Sequence, residues 1–286
     1  MKICGFLQNY NCVENGFLEN CLISMSNICD YIVVYDDAST EDVRPIYNKY
    51  NCVVIYGHKN EFYRELQHKQ ELLTIALREN PDWICWFDSD AILGKDWESY
   101  DDTRESLVSC DEKGIVLLHL HNLNLWKSDR FYRTDESFND LWHGVFWKNT
   151  GELHYVPVPK LHQKQYPRFY YDQNKEVVTS KYTGSKGQLI HLGFSRTEEI
   201  VKKYFTYREL GQEGWALNRL VDETNLSIEH LDAEWLPSWF EQNSKEEFTL
   251  QDGCFGVKEL AEISSYDHWK RVCYELDRKE DKNSIQ

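Results

Sequence analysis

Asp88 and Asp90 stand one residue apart at the end of an apolar, aromatic run, Trp83-Ile84-Cys85-Trp86-Phe87. The run has strand length, and an extended chain alternates its side chains, so both carboxylates are expected on one side. Two carboxylates aimed together repel each other and solvate poorly. A divalent cation relieves both problems, and hard oxygen ligands suit magnesium or manganese. The competing reading is an acidic, solvated turn.

Other apolar runs also end in polar clusters. Ile3 to Leu7 leads into Gln8-Asn9-Tyr10-Asn11, and Ile32-Val33-Val34-Tyr35 leads into Asp36-Asp37-Ala38-Ser39-Thr40. The second cluster could equally form an Asx turn or a helix cap. His191 follows Leu189-Ile190, and an isolated histidine is more often a satisfied structural residue than a ligand. Arg64 could meet an anion or pair with Glu61 or Glu65, and Lys69 shares its segment.

The elements that position these residues can be read from periodicity. Strands are expected near residues 2–7, 31–35, 52–56, 83–87 and 115–120. Helical spacing of Phe17, Leu18, Cys21, Leu22 and Met25 predicts one helix. Phe62, Leu66, Leu73, Ala76 and Leu77 predict another, stopped by Asn80-Pro81. Alternating strands and helices predict an α/β fold with a mostly parallel central sheet. Ligands of such sheets sit beyond the carboxyl ends of the strands, where all three polar clusters fall.

Residues 126–190 lose this rhythm, with Pro157, Pro159 and Pro167 punctuating loops. Trp126, Tyr132, Trp142 and Trp147 lie in this part and could stack on a sugar, although core packing is commoner. From Thr197 the text reads as helical. Ile200, Val201, Tyr204 and Phe205 form one stripe; Val257, Leu260, Ala261, Val272, Cys273 and Leu276 form another. The apolar Trp235-Leu236-Pro237-Ser238-Trp239-Phe240 could dock on the core, bind a lipid acceptor or make a dimer contact. The expected division is a catalytic unit over 1–195, with halves 1–125 and 126–195, and a helical C-terminal extension over 196–286.

Composition narrows the function. A net charge of −16 argues against nucleic acid and against an anionic membrane surface. Nine scattered cysteines without a CxxC pair suggest reduced thiols. No apolar run is long enough to span a membrane. The chain opens on a strand-like run without a basic region and apolar signal core, so a cytoplasmic protein is expected.

Ile32 to Thr40 resembles the acidic second-strand segment of family 2 glycosyltransferases. Gln8-Asn9-Tyr10-Asn11 with Glu14-Asn15 resembles their first-strand loop, and Trp83 to Asp90 their strand carrying the DxD motif. Ile190-His191-Leu192-Gly193-Phe194-Ser195 with Lys203-Tyr204 and Tyr207 is similar to a later histidine element of a subset. The similarity covers residues 1–210 or so. It departs after the DxD, where many relatives carry an acid and this chain carries Ala91.

The resemblance implies a GT-A fold and a metal-dependent transferase. Such an enzyme moves a sugar from a nucleotide-diphosphate donor to a glycan or other hydroxyl acceptor, with inversion. It implies Mn2+ or Mg2+ held by Asp88, Asp90 and His191, and nucleotide contacts from Asn9, Asp36, Asp37, Arg64 and Asp88. Inversion needs a carboxylate base on the acceptor side. Asp135 is favoured there over Asp140 and Glu136, although Arg133 could tie Asp135 into an ion pair. A homo-oligomer is possible. Phe87-Asp88-Ser89-Asp90 also resembles the start of haloacid-dehalogenase phosphatases, but their DxD follows the first strand. A sugar-nucleotide pyrophosphorylase would need a Gly-rich basic loop after the first strand, which Gln8 to Asn15 lacks. A glycan-binding module on a decayed transferase fold is a further alternative, opposed by the intact DxD.

Overall fold

The computed structural model describes residues 1–136, 138–151, 153–155, 168–169, 178–244 and 257–273. The chain begins with β1 (Ile3–Asn9), α1 (Phe17–Ser26), β2 (Tyr31–Asp36), α2 (Arg44–Lys49) and β3 (Val53–Tyr56). There follow α3 (Glu65–Ala76), β4 (Trp83–Trp86), β5 (Ala91–Leu93), α4 (Tyr100–Glu112) and β6 (Leu117–Asn124). Shorter strands come next: β7 (Phe131–Arg133), β8 (Trp142–Lys148), β9 (Leu153–His154), β10 (Arg168–Phe169), β11 (Thr179–Lys181) and β12 (Leu189–His191). The remainder holds α5 (Thr197–Glu209), α6 (Trp215–Asn218), β13 (Ile228–His230) and α7 (Val257–Glu262).

Nine strands make one curled, mixed sheet in the order β3-β2-β1-β4-β8-β6-β12-β5, with β11 also beside β6. β3, β2, β1 and β4 are parallel neighbours. β8 runs antiparallel between β4 and β6, and β5 runs antiparallel to β12. The α/β architecture with a mostly parallel sheet is therefore what the sequence predicts. Strand alternation splits the core into two layers. Ile3, Leu7, Ile32 and Val34 face α1, whereas Cys4, Phe6, Val33 and Tyr35 face Leu72, Leu73 and Ala76 of α3.

The stripe Ile200, Val201, Tyr204 and Phe205 is buried as expected. It packs against Trp126, Leu217, Leu220 and Leu260. The Trp235 to Phe240 patch docks on the core: Leu236 is buried among Leu123, Leu125, Ile190 and Leu192. Trp126, Trp147 and Tyr132 are also core residues, which removes them as sugar platforms; Trp142 stays half-buried.

Three expectations need correction. β5 was hidden in the three residues after the DxD, too short a run for periodicity to detect. After α5 the described chain is mostly irregular up to residue 244, with α6, a 3-10 turn at Ala233–Trp235 and a strand, β13, paired to β7. Of the second stripe, Ala261 is exposed. Leu276, the Val257 side chain and the three prolines at 157, 159 and 167 lie outside the described residues. No helix among the described residues is long and apolar enough to cross a membrane. The eight described cysteines are all free thiols.

Burial lowers the pKa values of His68, His119 and His121. The folded chain therefore binds fewer protons than the unfolded chain once pH falls through about 6.5. Stability is full above that range and is lost below it. Burial raises Asp37, which offsets part of the loss at the lower end. The thermal midpoint is expected to fall by several degrees between about pH 7.5 and about pH 5.5. A flat or rising midpoint in calorimetry over that range contradicts the assignment.

Candidate active site

The carboxyl ends of β1 and β2 are knitted together by polar side chains. The Asn9 Nδ2 donates to Tyr47 OH at 2.9 Å and to Asp36 Oδ2 at 3.3 Å. Tyr47 OH donates to Asp36 Oδ2 at 2.7 Å, and Ser39 donates its amide and hydroxyl to Asp36 at 2.8 Å each. Asp36 thus ties its own loop through the Ser39 amide three residues on, a structural role of the kind raised from sequence. Asp37 accepts the Glu61 amide at 3.1 and 3.2 Å and lies 3.7 Å from His68, whose ring stacks on Tyr35. Asn9, Asp36 and Asp37 are all buried, so they build the loops and offer no open carboxylate. Asn11, Cys12 and Ala38 hold left-handed backbone here, with φ of 61°, 70° and 59°. Non-glycine residues in that region are strained and cluster at functional loops.

The second half of the site is centred on Asp90. The chain turns after β4, closing with an Ala91 amide to Asp88 carbonyl bond at 3.1 Å. That turn separates the two carboxylates: Asp88 is exposed and Asp90 is buried. The extended strand stops at Trp86, so strand alternation no longer governs the two carboxylates. β5 then pairs with β12, setting His191 opposite Ala91, and the Leu192 amide donates to the Asp90 carbonyl at 2.7 Å. Ala91, in place of the family's acid, is part of this ladder.

His191 Nε2 lies 3.3 Å from Asp90 Oδ2. Between them reaches Lys203 of α5, its Nζ 2.5 Å from Asp90 Oδ2 and 3.2 Å from His191 Nε2. Burial alone would raise the Asp90 pKa, but Lys203 and His191 outweigh it and hold the carboxyl well below the usual range. Burial alone would lower Lys203, and Asp90 outweighs it, so the ammonium is kept charged. Burial, then Asp90, push the nearby Cys12 thiol up to about 12. Tyr207, one helical turn beyond Lys203, is likewise pushed up to about 12, by burial first.

Asp90 and His191 are suitable donors for a hard cation, and they do converge. The point of convergence is taken by a side-chain ammonium, and Asp88 is exposed. No group of three or more His, Cys, Asp or Glu able to hold a metal occurs among the described residues. As arranged, the set Asp88, Asp90 and His191 does not fit a resident Mn2+ or Mg2+.

The proposed base residues do not gather at this cluster. Asp135 is ion-paired with Arg133, whose other nitrogens donate to the carbonyls of Arg219 and Asp222 at 3.2 and 2.6 Å. That pair ties β7 to the segment after α6. Asp135 is thereby committed to a structural ion pair. Glu136 and Asp140 are exposed; Asp140 accepts the Trp142 indole N–H at 2.5 Å. Arg64 pairs with Glu61 at 3.1 Å, as its alternative reading allowed. Lys69 is buried, paired with Glu65, its ammonium 4.5 Å from the Trp86 ring.

The sequence places Lys203 within the histidine element and assigns it no role. The available signal was its spacing: it flanks the Ile200, Val201, Tyr204, Phe205 stripe and shares a helix face with Tyr207 at i+4.

No protein-family model matches this sequence, and no curated protein matches it. Solved structures of similar shape exist. S. aureus TarS aligns at 14% identity over 78% of this chain and 42% of its own, with a TM-score of 0.46. The mannosyltransferase PcManGT from Pyrobaculum calidifontis, in complex with GDP-Man and Mn2+, aligns at 16% identity over 41% and 34%, TM-score 0.31. Glucosyl-3-phosphoglycerate synthase from Mycobacterium tuberculosis, with Mn2+ and UDP-glucose, aligns at 20% over 43% of each chain, TM-score 0.27. The chain thus spans less than half the length of each of these proteins, and scores below one half identify no family.

Proposed function

We propose that this chain is a glycosyltransferase. It takes a nucleotide-diphosphate sugar across the carboxyl ends of β1, β2 and β4 and passes the sugar to a hydroxyl of a glycan or related acceptor. One observation carries the reading. The motifs that resemble family 2 glycosyltransferases, far apart in sequence, meet along one rim of the sheet: Asn9 with Asp36, and Asp90 with His191 and Lys203. The strained loop through Cys12 joins the halves, since the Ser89 hydroxyl lies 3.7 Å from Cys12 Sγ.

The chemistry follows from the leaving group. The acceptor oxygen attacks the anomeric carbon from the opposite face, which inverts configuration. The bond from that carbon to the diphosphate oxygen breaks, and its electron pair departs with the nucleoside diphosphate. The acceptor proton goes to a base on the acceptor side, where Glu136 and Asp140 keep accessible carboxylates. Negative charge grows on the diphosphate, so a fixed positive group at its oxygens lowers the barrier. The buried loops around Asp36 and Asp37 form the wall against which the nucleoside rests.

A panel of UDP and GDP sugars tests this. At least one is expected to raise the thermal midpoint by several degrees at saturation. The same sugar should release nucleoside diphosphate slowly without acceptor. Release of inorganic phosphate would favour the phosphatase alternative. A panel with neither a shift nor any release would end the proposal.

A further inference from the structure

We infer that Lys203 is the built-in cation of this site: its ammonium, gripped by Asp90 and His191, binds the diphosphate of the donor where a divalent metal was expected. The inference rests on the glycosyltransferase reading above and adds to it a metal-independent mode of donor binding.

Geometry makes the case. Asp90 and His191 converge on a single point, and the Lys203 nitrogen occupies it. An ammonium carries three N–H donors and no acceptor. Asp90 accepts one of them, and His191 Nε2 lies 3.2 Å from the same nitrogen. The Lys203 side chain is 22% exposed, against 10% for Asp90 and 12% for His191, so it is the member of the cluster that a phosphate oxygen arriving from the rim would meet first.

The surroundings are shaped for this arrangement. α5 is anchored by four buried side chains, which fixes the base of the lysine stem. Gly193 passes directly over the pair, and a Cβ there would collide with both Asp90 Oδ2 and Lys203 Nζ. The main chain is cut away where carboxylate and ammonium meet. The ammonium also suits the charge of the place. A divalent ion would have to break the Asp90–Lys203 pair and push a charged side chain out of a largely enclosed site. Such a step only exchanges one cation beside Asp90 for another, at the loss of the lysine's carboxylate partner. With Lys203 in place, the site offers one directed N–H and a balanced pair.

Calorimetric titration of UDP and GDP into three proteins tests the inference: the wild type, Lys203→Met and Lys203→Arg, each in EDTA and then in MnCl2. Wild type is expected to bind at least one nucleotide in EDTA, with affinity changed less than about threefold by Mn2+. Lys203→Met should weaken binding about tenfold to a hundredfold, the range for a hydrogen bond to a charged group. Lys203→Arg, which keeps charge and donors, should retain most of it. Mn2+ electron paramagnetic resonance with wild type, before nucleotide is added, should show the free-ion signal. Adding Mn2+ to Lys203→Met should restore binding, because Asp90 and His191 are then free to ligate. Nucleotide affinity that rises more than about tenfold with Mn2+ in wild type, with Lys203→Met unaffected, would overturn the inference and leave the glycosyltransferase reading standing. Wild type that binds neither nucleotide in either buffer would remove that reading and the inference together. If Lys203→Met fails to fold by circular dichroism, the wild-type comparison and Lys203→Arg decide the matter.

Discussion

Asp90→Asn is expected to reduce turnover about a thousandfold while the fold persists. The magnitude is that of losing one preorganised electrostatic group at a reacting centre. The amide keeps the shape of the carboxylate but carries no charge. It cannot hold Lys203 at 2.5 Å and His191 at 3.3 Å in one constellation, so the ammonium gains freedom to turn outward. That same freedom limits the damage to stability. A fully buried pair broken on one side costs about 3–5 kcal/mol. Lys203 is partly open to water, and about 1–2 kcal/mol is expected here. Donor turnover over the UDP and GDP sugar panel, with thermal melts of the same samples, checks both halves. Turnover within about threefold of wild type would show that Asp90 does not serve the reaction.

Much of this architecture was legible because apolar runs and polar stops recur in the order an α/β sheet requires. The β-branched run Tyr31 to Tyr35 could hardly be anything but a buried strand. The rim position of Asn9, Asp36, Asp37 and Asp90 followed from strand order alone. What stayed hidden was decided by contacts between distant segments. Asp88 is exposed and Asp90 buried where the Ala91 amide closes a turn on the Asp88 carbonyl, and β5 pairs with the edge that β12 offers. Lys203 lies 113 residues from Asp90, and no local pattern announces that they meet. The sequence favours Asp135 as base with an Arg133 ion pair as the alternative, and the carbonyls of Arg219 and Asp222, which anchor Arg133, go with the pair. Side-chain roles at a site depend on which neighbour arrives from elsewhere in the chain.

Gly193→Ala separates shape from charge at the same place. Every charge remains, yet the added methyl must share space with Asp90 Oδ2 and Lys203 Nζ. Both are ends of side chains, so they can give way, and the cost to folding should stay near about 1–3 kcal/mol. The position has no left-handed backbone that would add strain. Function has less room, because displacing the ammonium from its seat by even an ångström disrupts a positioned contact, and losses near about a hundredfold are the scale for such misplacement. Gly94→Ala is the informative contrast. Its Cβ would meet main-chain atoms, the Lys186 carbonyl at 2.5 Å and the Gln188 amide at 3.1 Å, which cannot swing aside. That variant should lose more stability than Gly193→Ala while folded molecules keep their donor affinity. Melting curves together with UDP and GDP titrations on both variants measure the split. If Gly193→Ala binds nucleotide as well as wild type, the Asp90–Lys203 seat is not where the diphosphate lies.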